Sequence, residues 1–247
     1  MILDDLILEQ YPEVKDSDYV FNGITVPRVT KILSDMLHED SLMGWSNFIG
    51  LVKHQKYPDV LQQAADKGSI VHNGIEDFLT NDNELNLAAV PKNYQQEVEN
   101  AYESFKQWWN IVATNNKAFV VMQETPLICQ WYGGTLDLLL NINGDIYLFD
   151  FKTSNHLSYK YIIQLAAYRY MLRTIHNIEV AGVGIIKLSK QSVNFEEVML
   201  HCNDPQDLDL LNHAEICFHH LVYGYYERKY IERGFKETVN KVEKGVS

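Results

Sequence analysis

The apolar positions of the chain repeat with two periods, and each period predicts its own kind of element. Val71, Ile75, Phe78 and Leu79 share one face of a helix over 59–80. Tyr94, Val98, Ala101, Phe105, Trp108 and Val112 recur every three to four residues and predict a long helix over 93–113, its aromatic stripe read as core. A third helix is expected from Tyr159 to Ile175, and a fourth from Asp204 or Pro205 to about Arg233, followed by a polar tail. Nearer the start, TVPRVTKIL predicts a turn at Pro27 and a helix from Val29 or Thr30; a second short helix is expected through Trp45, Phe48, Ile49 and Val52. Residues 1–25 read as an irregular arm and 81–91 as an exposed connection. Strands are expected at 118–124 and 127–131, with a bend at Gly133-Gly134, and again at 180–188 and 192–200.

The most informative stretch is TLDLLLNINGDIYLFDFK, from Thr135 to Lys152. Asn143-Gly144 is the dipeptide most favoured in a two-residue type I′ hairpin turn. With that turn, Ile142 pairs with Asp145, and Asp137 falls directly opposite Asp150 on one face; Lys152 points to the same face. Leu139 and Leu148 share that face, while Leu136, Leu138, Leu140, Phe149 and Phe151 are expected on the other. Both faces therefore look covered, as in a central sheet strand. Two carboxylates held that close repel unless a cation lies between them, so the hairpin points to a divalent ion on oxygen ligands, with Lys152 placed to orient or deprotonate a water. The competing reading is a surface hairpin with a charged edge.

Composition narrows the class. The chain has 247 residues, 46% of them hydrophobic and 22% charged, enough for one sizeable core. No apolar run approaches a membrane span, and the acidic start MILDDLILEQ has no basic leader, so the expected location is the cytoplasm. Cys129, Cys202 and Cys217 show no C-x-x-C spacing. His213, Cys217 and His220 share a helical face, which by itself rarely closes a zinc site. A net charge of −12 argues against a protein that coats nucleic acid generally. Between Lys152 and Lys190, however, Lys152, Lys160, Arg169, Arg173, Lys187 and Lys190 face only Glu179, a local excess of +5 immediately downstream of the acidic pair. A phosphate backbone passing the metal would meet it there.

Other candidates are weaker taken singly. His72 lies at the edge of its helix face with Glu76 one turn on, Glu124 ends a predicted strand, and Gln164 and Tyr168 stand at i and i+4 on one helix face. Gly68 interrupts the first long helix and hints at close packing. Taken in order, KGSIVHNGIEDFL, GGTLDLLL, LFDFKTS and QLAAY resemble the histidine helix, the two acidic strands and the Gln-x-x-x-Tyr helix of the PD-(D/E)XK nucleases of the RecB-type exonuclease group. The nearer likeness is to single-domain phage exonucleases and the mitochondrial genome maintenance exonuclease. TVPRVTKIL resembles a Ser-Val-Thr segment of the mitochondrial-type members, with Arg28 in place of the serine.

The resemblance implies an α/β fold with a restriction-endonuclease-like core: a central mixed β-sheet flanked by helices, with an N-terminal helical elaboration. One nuclease domain would span 1–247, mainly helical over 1–115, with the catalytic sheet and Gln-x-x-x-Tyr helix over 116–200 and a helical part over 201–247. It implies Asp137, Asp150 and Lys152 as catalytic residues, and His72, Asp137, Asp150 and the carbonyl of Phe151 as ligands of Mg²⁺ or Mn²⁺. Gln164, Tyr168, Thr153 and Ser154 would contact substrate, with Glu76 and Glu124 as secondary candidates. The iron–sulfur branch of the group needs cysteines that this chain does not place, so no cluster is expected. The implied activity is metal-dependent hydrolysis of DNA, on ends or single strands, by in-line attack that leaves a 5′-phosphate. The expected setting is replication, recombination or repair, with a recombination or replication protein as partner. A structure-selective endonuclease and a non-catalytic DNA-end-binding protein are the alternatives.

Overall fold

A computed structural model describes residues 11, 14, 17–37 and 56–243. The helix expected through Trp45 to Val52 lies outside the described residues. A two-stranded hairpin, β1 (Val20–Phe21) and β2 (Ile24–Thr25), precedes α1 (Val29–Met36). After α2 (Tyr57–Asn81) and α3 (Gln95–Asn116) come three strands, β3 (Phe119–Ile128), β4 (Gly133–Ile142) and β5 (Asp145–Lys152). The chain then runs through α4 (Lys160–His176), β6 (Gly182–Leu188), β7 (Phe195–His201) and the 39-residue α5 (Pro205–Glu243). It is an α/β protein with a central mixed sheet.

The sheet has the order β3-β4-β5-β6-β7 and is antiparallel except for β5 and β6, which run parallel. Parallel neighbours need a crossover, and α4 supplies it. The predicted hairpin is present: Ile142 pairs with Asp145, and the register runs unbroken to Leu138 and Phe149. Asn143 and Gly144 both take positive φ, 56° and 104°, as a type I′ turn demands.

Helices cover both faces. On one side α2 and α3 bury Val71, Phe105 and Trp108 against Leu138, Leu140, Phe149 and Phe151. On the other, α1, α4 and α5 bury Ile32, Leu165, Met171 and Phe218 against Leu139, Leu148, Val183 and Ile185. Each large side chain so buried contributes about 1.5–3 kcal/mol.

Several expectations need correction. The segments 118–124 and 127–131 do not form two strands: Phe119–Ile128 is one, carrying Glu124 at φ 40° in its middle. Gly133 and Gly134 are not a bend but the first residues of β4; the chain turns just before them, where the Cys129 N–H donates to the Tyr132 carbonyl. The glycines are required there because a Cβ at Gly134 would stand 2.5 Å from the Tyr168 ring, and one at Gly133 would stand 2.5 Å from Tyr19. The arm before Thr25 is not wholly irregular, since it contains the β1–β2 hairpin. The last helix outruns its expected end at Arg233. Leu136 packs with the α4/α5 core although Leu138 packs with the α2/α3 core, so the alternation of β4 breaks at the intervening Asp137.

Two glycines test this packing in opposite directions. A Cβ at Gly182 would come 2.7 Å from the backbone oxygen of Leu200, which cannot swing aside. Gly182→Ala is expected to lower the unfolding free energy by about 1–3 kcal/mol. At Gly68 the nearest atom to an added Cβ is Thr153 Oγ1 at 3.4 Å, an ordinary contact. Gly68→Ala should therefore retain most of the helix-propensity gain of up to about 1 kcal/mol. Urea unfolding of both variants decides, and equal effects would contradict the packing described.

Candidate metal centre

The site forms where β4 and β5 part. In a continued ladder, Leu136 would pair with Phe151 next but one after the Leu138–Phe149 pair. Leu136 instead pairs only with Thr125 of β3, and Phe151 with Ile186 of β6. The Phe151 N–H turns to a side chain and donates to Asp137 Oδ2 at 2.7 Å. Asp137 is thereby fixed in the fork, with Asp150 one step past the last ladder pair on the facing strand.

On the other side of Asp137 stands Glu124. The pairs Gln123–Leu138 and Thr125–Leu136 bracket it, so its register position is opposite Asp137. Its φ of 40° is a conformation that side-chain-bearing residues adopt at a cost of roughly 1–3 kcal/mol. His72 reaches this point from α2: its Nδ1 lies 3.4 Å from Glu124 Oε1 and 3.7 Å from Asp137 Oδ2. One ligand atom from each of His72, Glu124 and Asp137 falls within 4.8 Å of the others. Donors about 2.1 Å from one octahedral ion stand ~3 Å apart when adjacent and ~4.2 Å apart when opposite, so a small closure seats an ion. The side chains of His72 and Glu124 remain 25% and 27% exposed, which leaves the group open to solvent. One imidazole nitrogen and two carboxylate oxygens suit a divalent cation with mixed nitrogen and oxygen preference.

Asp150, expected as a second aspartate ligand, lies beside Lys152 and Gln164. Its side chain is only 1% exposed, and both oxygens face protein groups. Oδ2 lies 2.6 Å from Lys152 Nζ in an ion pair. Oδ1 accepts from Gln164 Nε2 at 3.1 Å, while Gln164 Oε1 accepts from Lys152 Nζ at 3.3 Å. The side-chain amide does both, where a carboxylate would lack the donor and an ammonium the acceptor. Gln164 Nε2 also donates to the Tyr168 hydroxyl at 3.3 Å, and the Lys152 ammonium sits 4.8 Å over the Tyr161 ring. The Gln-x-x-x-Tyr face thus orders Asp150 and Lys152.

The charges are strongly coupled. Burial, reinforced by Asp137, pushes the Asp150 carboxyl up to about 6 despite the lysine beside it. Burial raises the Asp137 carboxyl as well, against His72 and Lys152. For His72, burial opposes the charge, but Asp137 and Glu124 outweigh it and push the imidazole up to about 9. Lys152 is likewise opposed by burial and carried above the usual lysine value by Asp150 and Asp137. It stands as an ammonium and acts as a donor.

Of the remaining predicted residues, Glu76 is exposed and lies outside the ligand group. The Phe151 ring packs edge-on to Phe105, 5.4 Å between centroids, while its N–H holds Asp137. Ser154 Oγ donates to the His156 carbonyl and accepts from the Tyr161 hydroxyl. Thr153 meets α2 beside Gly68. Tyr19 was not foreseen: its hydroxyl shares a 2.8 Å hydrogen bond with Thr135, two residues from Asp137, and so brings the N-terminal hairpin to the rim. Arg28 pairs with Asp18. His213 and His220 are exposed and join no metal-ligand group among the described residues.

No family model and no curated protein matches this chain. Among solved structures it is similar to the one described as "Crystal structure of SSO0001", at 13% identity and a TM-score of 0.28, over 60% of this chain and 72% of that one.

Glu124 is the residue on which strain and candidate ligation coincide. Glu124→Gly is expected to leave the metal-free protein at least as stable as the parent while weakening Mn²⁺ binding by roughly tenfold or more. Thermal unfolding and calorimetric titration measure the two quantities. A less stable variant with unchanged Mn²⁺ affinity would show that Glu124 serves only the strand.

Proposed function

We propose that the protein is a divalent-metal-dependent DNA exonuclease that hydrolyses phosphodiester bonds at ends or in single strands during replication, recombination or repair. The observation that carries this reading is the meeting of two devices in one fork of the sheet. His72, Glu124 and Asp137 form a ligand group, and Asp150 and Lys152 form an ion pair ordered by Gln164. The arrangement agrees with the PD-(D/E)XK resemblance in motif order and in the strand–strand–helix placement of the acidic residues, the lysine and the Gln-x-x-x-Tyr face.

A divalent cation held by His72, Glu124 and Asp137 would supply Lewis-acid polarisation of a phosphoryl oxygen and would lower the pKa of water. Mn²⁺ suits the imidazole ligand better than Mg²⁺ does, and either suits the carboxylates. The chain's own groups do the rest. Lys152, held as an ammonium by Asp150 and Gln164, donates to an attacking water or to charge developing on phosphorus. Gln164 and Tyr161 fix where that ammonium points, so little reorganisation is needed as charge builds. Phe151 anchors Asp137 through its N–H, which keeps that candidate ligand in register with the lysine one residue further along β5.

Asp150→Asn and Lys152→Ala are expected to abolish degradation of end-labelled DNA in Mg²⁺ or Mn²⁺, losing at least about a hundredfold in rate, with the circular dichroism spectrum retained. Covalently closed single-stranded circles should survive the wild-type protein. Full activity in either variant, or in EDTA, would rule the reading out; cutting of the circles would make the enzyme an endonuclease.

A further inference from the structure

Most of the basic stretch is already paired. Arg169 and Arg173 meet Glu215, Lys152 meets Asp150, and Lys160 donates to the Leu37 carbonyl. Lys187 pairs with Glu196 at 2.7 Å. Lys190 differs: it is half-buried and, among the described residues, has no carboxylate within ion-pair distance. Its nearest acid of consequence, Glu97, is itself 2.6 Å from Lys67.

Lys190 and Lys187 line a cavity of about 160 Å³ together with Ser154, Asn155, Ser189 and Asn194. The cavity opens at the carboxyl ends of the parallel pair β5 and β6, the place where open α/β sheets take their ligands. Ser154 and Asn155 directly follow β5, and Lys187 is the register partner of Lys152. Lys187 therefore shares the face of Lys152, one strand spacing or ~4.8 Å further along the sheet. The volume falls below the ~300 Å³ at which drug-sized ligand pockets begin and accommodates a small oxyanion.

We propose that this cavity is a phosphate-binding subsite, in which Lys190 and Lys187 hold a phosphate group of the strand whose neighbouring phosphodiester lies at the metal centre. The inference rests on the nuclease reading and adds where the substrate strand is gripped. Burial depresses the Lys190 ammonium, assisted by Lys67 and opposed by Glu97, and an incoming dianion or monoanion would relieve that cost. Glu196, the one acid lining the cavity among the described residues, is 58% exposed and free to give up Lys187 to a stronger acceptor. The phosphate could be terminal or internal, and both have the same chemistry.

The test is anisotropy titration of single-stranded oligonucleotides bearing a 5′-phosphate or a 5′-hydroxyl, in EDTA, from 50 to 200 mM salt. Lys190→Gln should weaken binding several-fold and reduce the salt slope by about 0.7, the value of one phosphate contact on a single strand, whereas Lys190→Arg should keep both. Lys187→Gln should act in the same direction, and calorimetric Mn²⁺ affinity unchanged in Lys190→Gln shows that its metal centre is intact. If the 5′-hydroxyl removes the difference between wild type and Lys190→Gln, the phosphate is terminal; if the difference persists, it is internal. Wild-type binding with unchanged affinity and slope in both glutamine variants overturns the subsite alone. A wild-type protein that binds neither oligonucleotide overturns the nuclease reading and the subsite with it.

Discussion

The Phe151 N–H donates to the Asp137 carboxylate, where a regular ladder would have it donate to a backbone carbonyl of β4. That substitution lets β4 and β5 part without orphaning a buried donor. The parting gives α2 access to the fork from one face and α4 from the other. His72 enters along the first path and Gln164 along the second, so a ligand group and a lysine–carboxylate pair converge without crowding one strand. The rest of the sheet keeps this fork open: β3 holds the far side of β4, β6 holds the far side of β5, and two helical layers clamp both.

Electrostatics then decides what the fork is good for. Glu124, Asp137 and Asp150 are brought together across three strands, and burial works against charge on the two aspartates. Lys152 balances one carboxylate at 2.6 Å, and His72 gains its charge only because the other two stand beside it. Structure that collects acids at such a cost, and bends the backbone at Glu124 to do it, could hold a metal ion at His72, Glu124 and Asp137. Asp150 pairs with Lys152, while Asp137 stands in the group with His72 and Glu124.

Much of this was legible in the sequence. The Asn143-Gly144 turn fixed the β4–β5 register because a two-residue loop leaves no freedom in which residues pair. Helical spacing placed His72, Gln164 and Tyr168 on the correct elements. Glu124 was harder to value, because pattern reading ended its strand there. The register that sets it opposite Asp137 depends on the turn at Cys129–Tyr132, and that turn has no Asn-Gly-type signature. Leu136 was assigned to the wrong core because strict alternation cannot anticipate a break at Asp137, which arises from the strand's neighbours on both sides. The different partners of the two aspartates are not legible for a similar reason: they depend on Gln164 arriving from a helix that follows in the chain.

The most direct test of the metal centre is anomalous diffraction from crystals grown with Mn²⁺. The account predicts an anomalous peak about 2.0–2.6 Å from atoms of His72, Glu124 and Asp137, with Lys152 still paired to Asp150. A peak bound by Asp150 with Glu124 turned away, or no peak in the fork at saturating Mn²⁺, would contradict it.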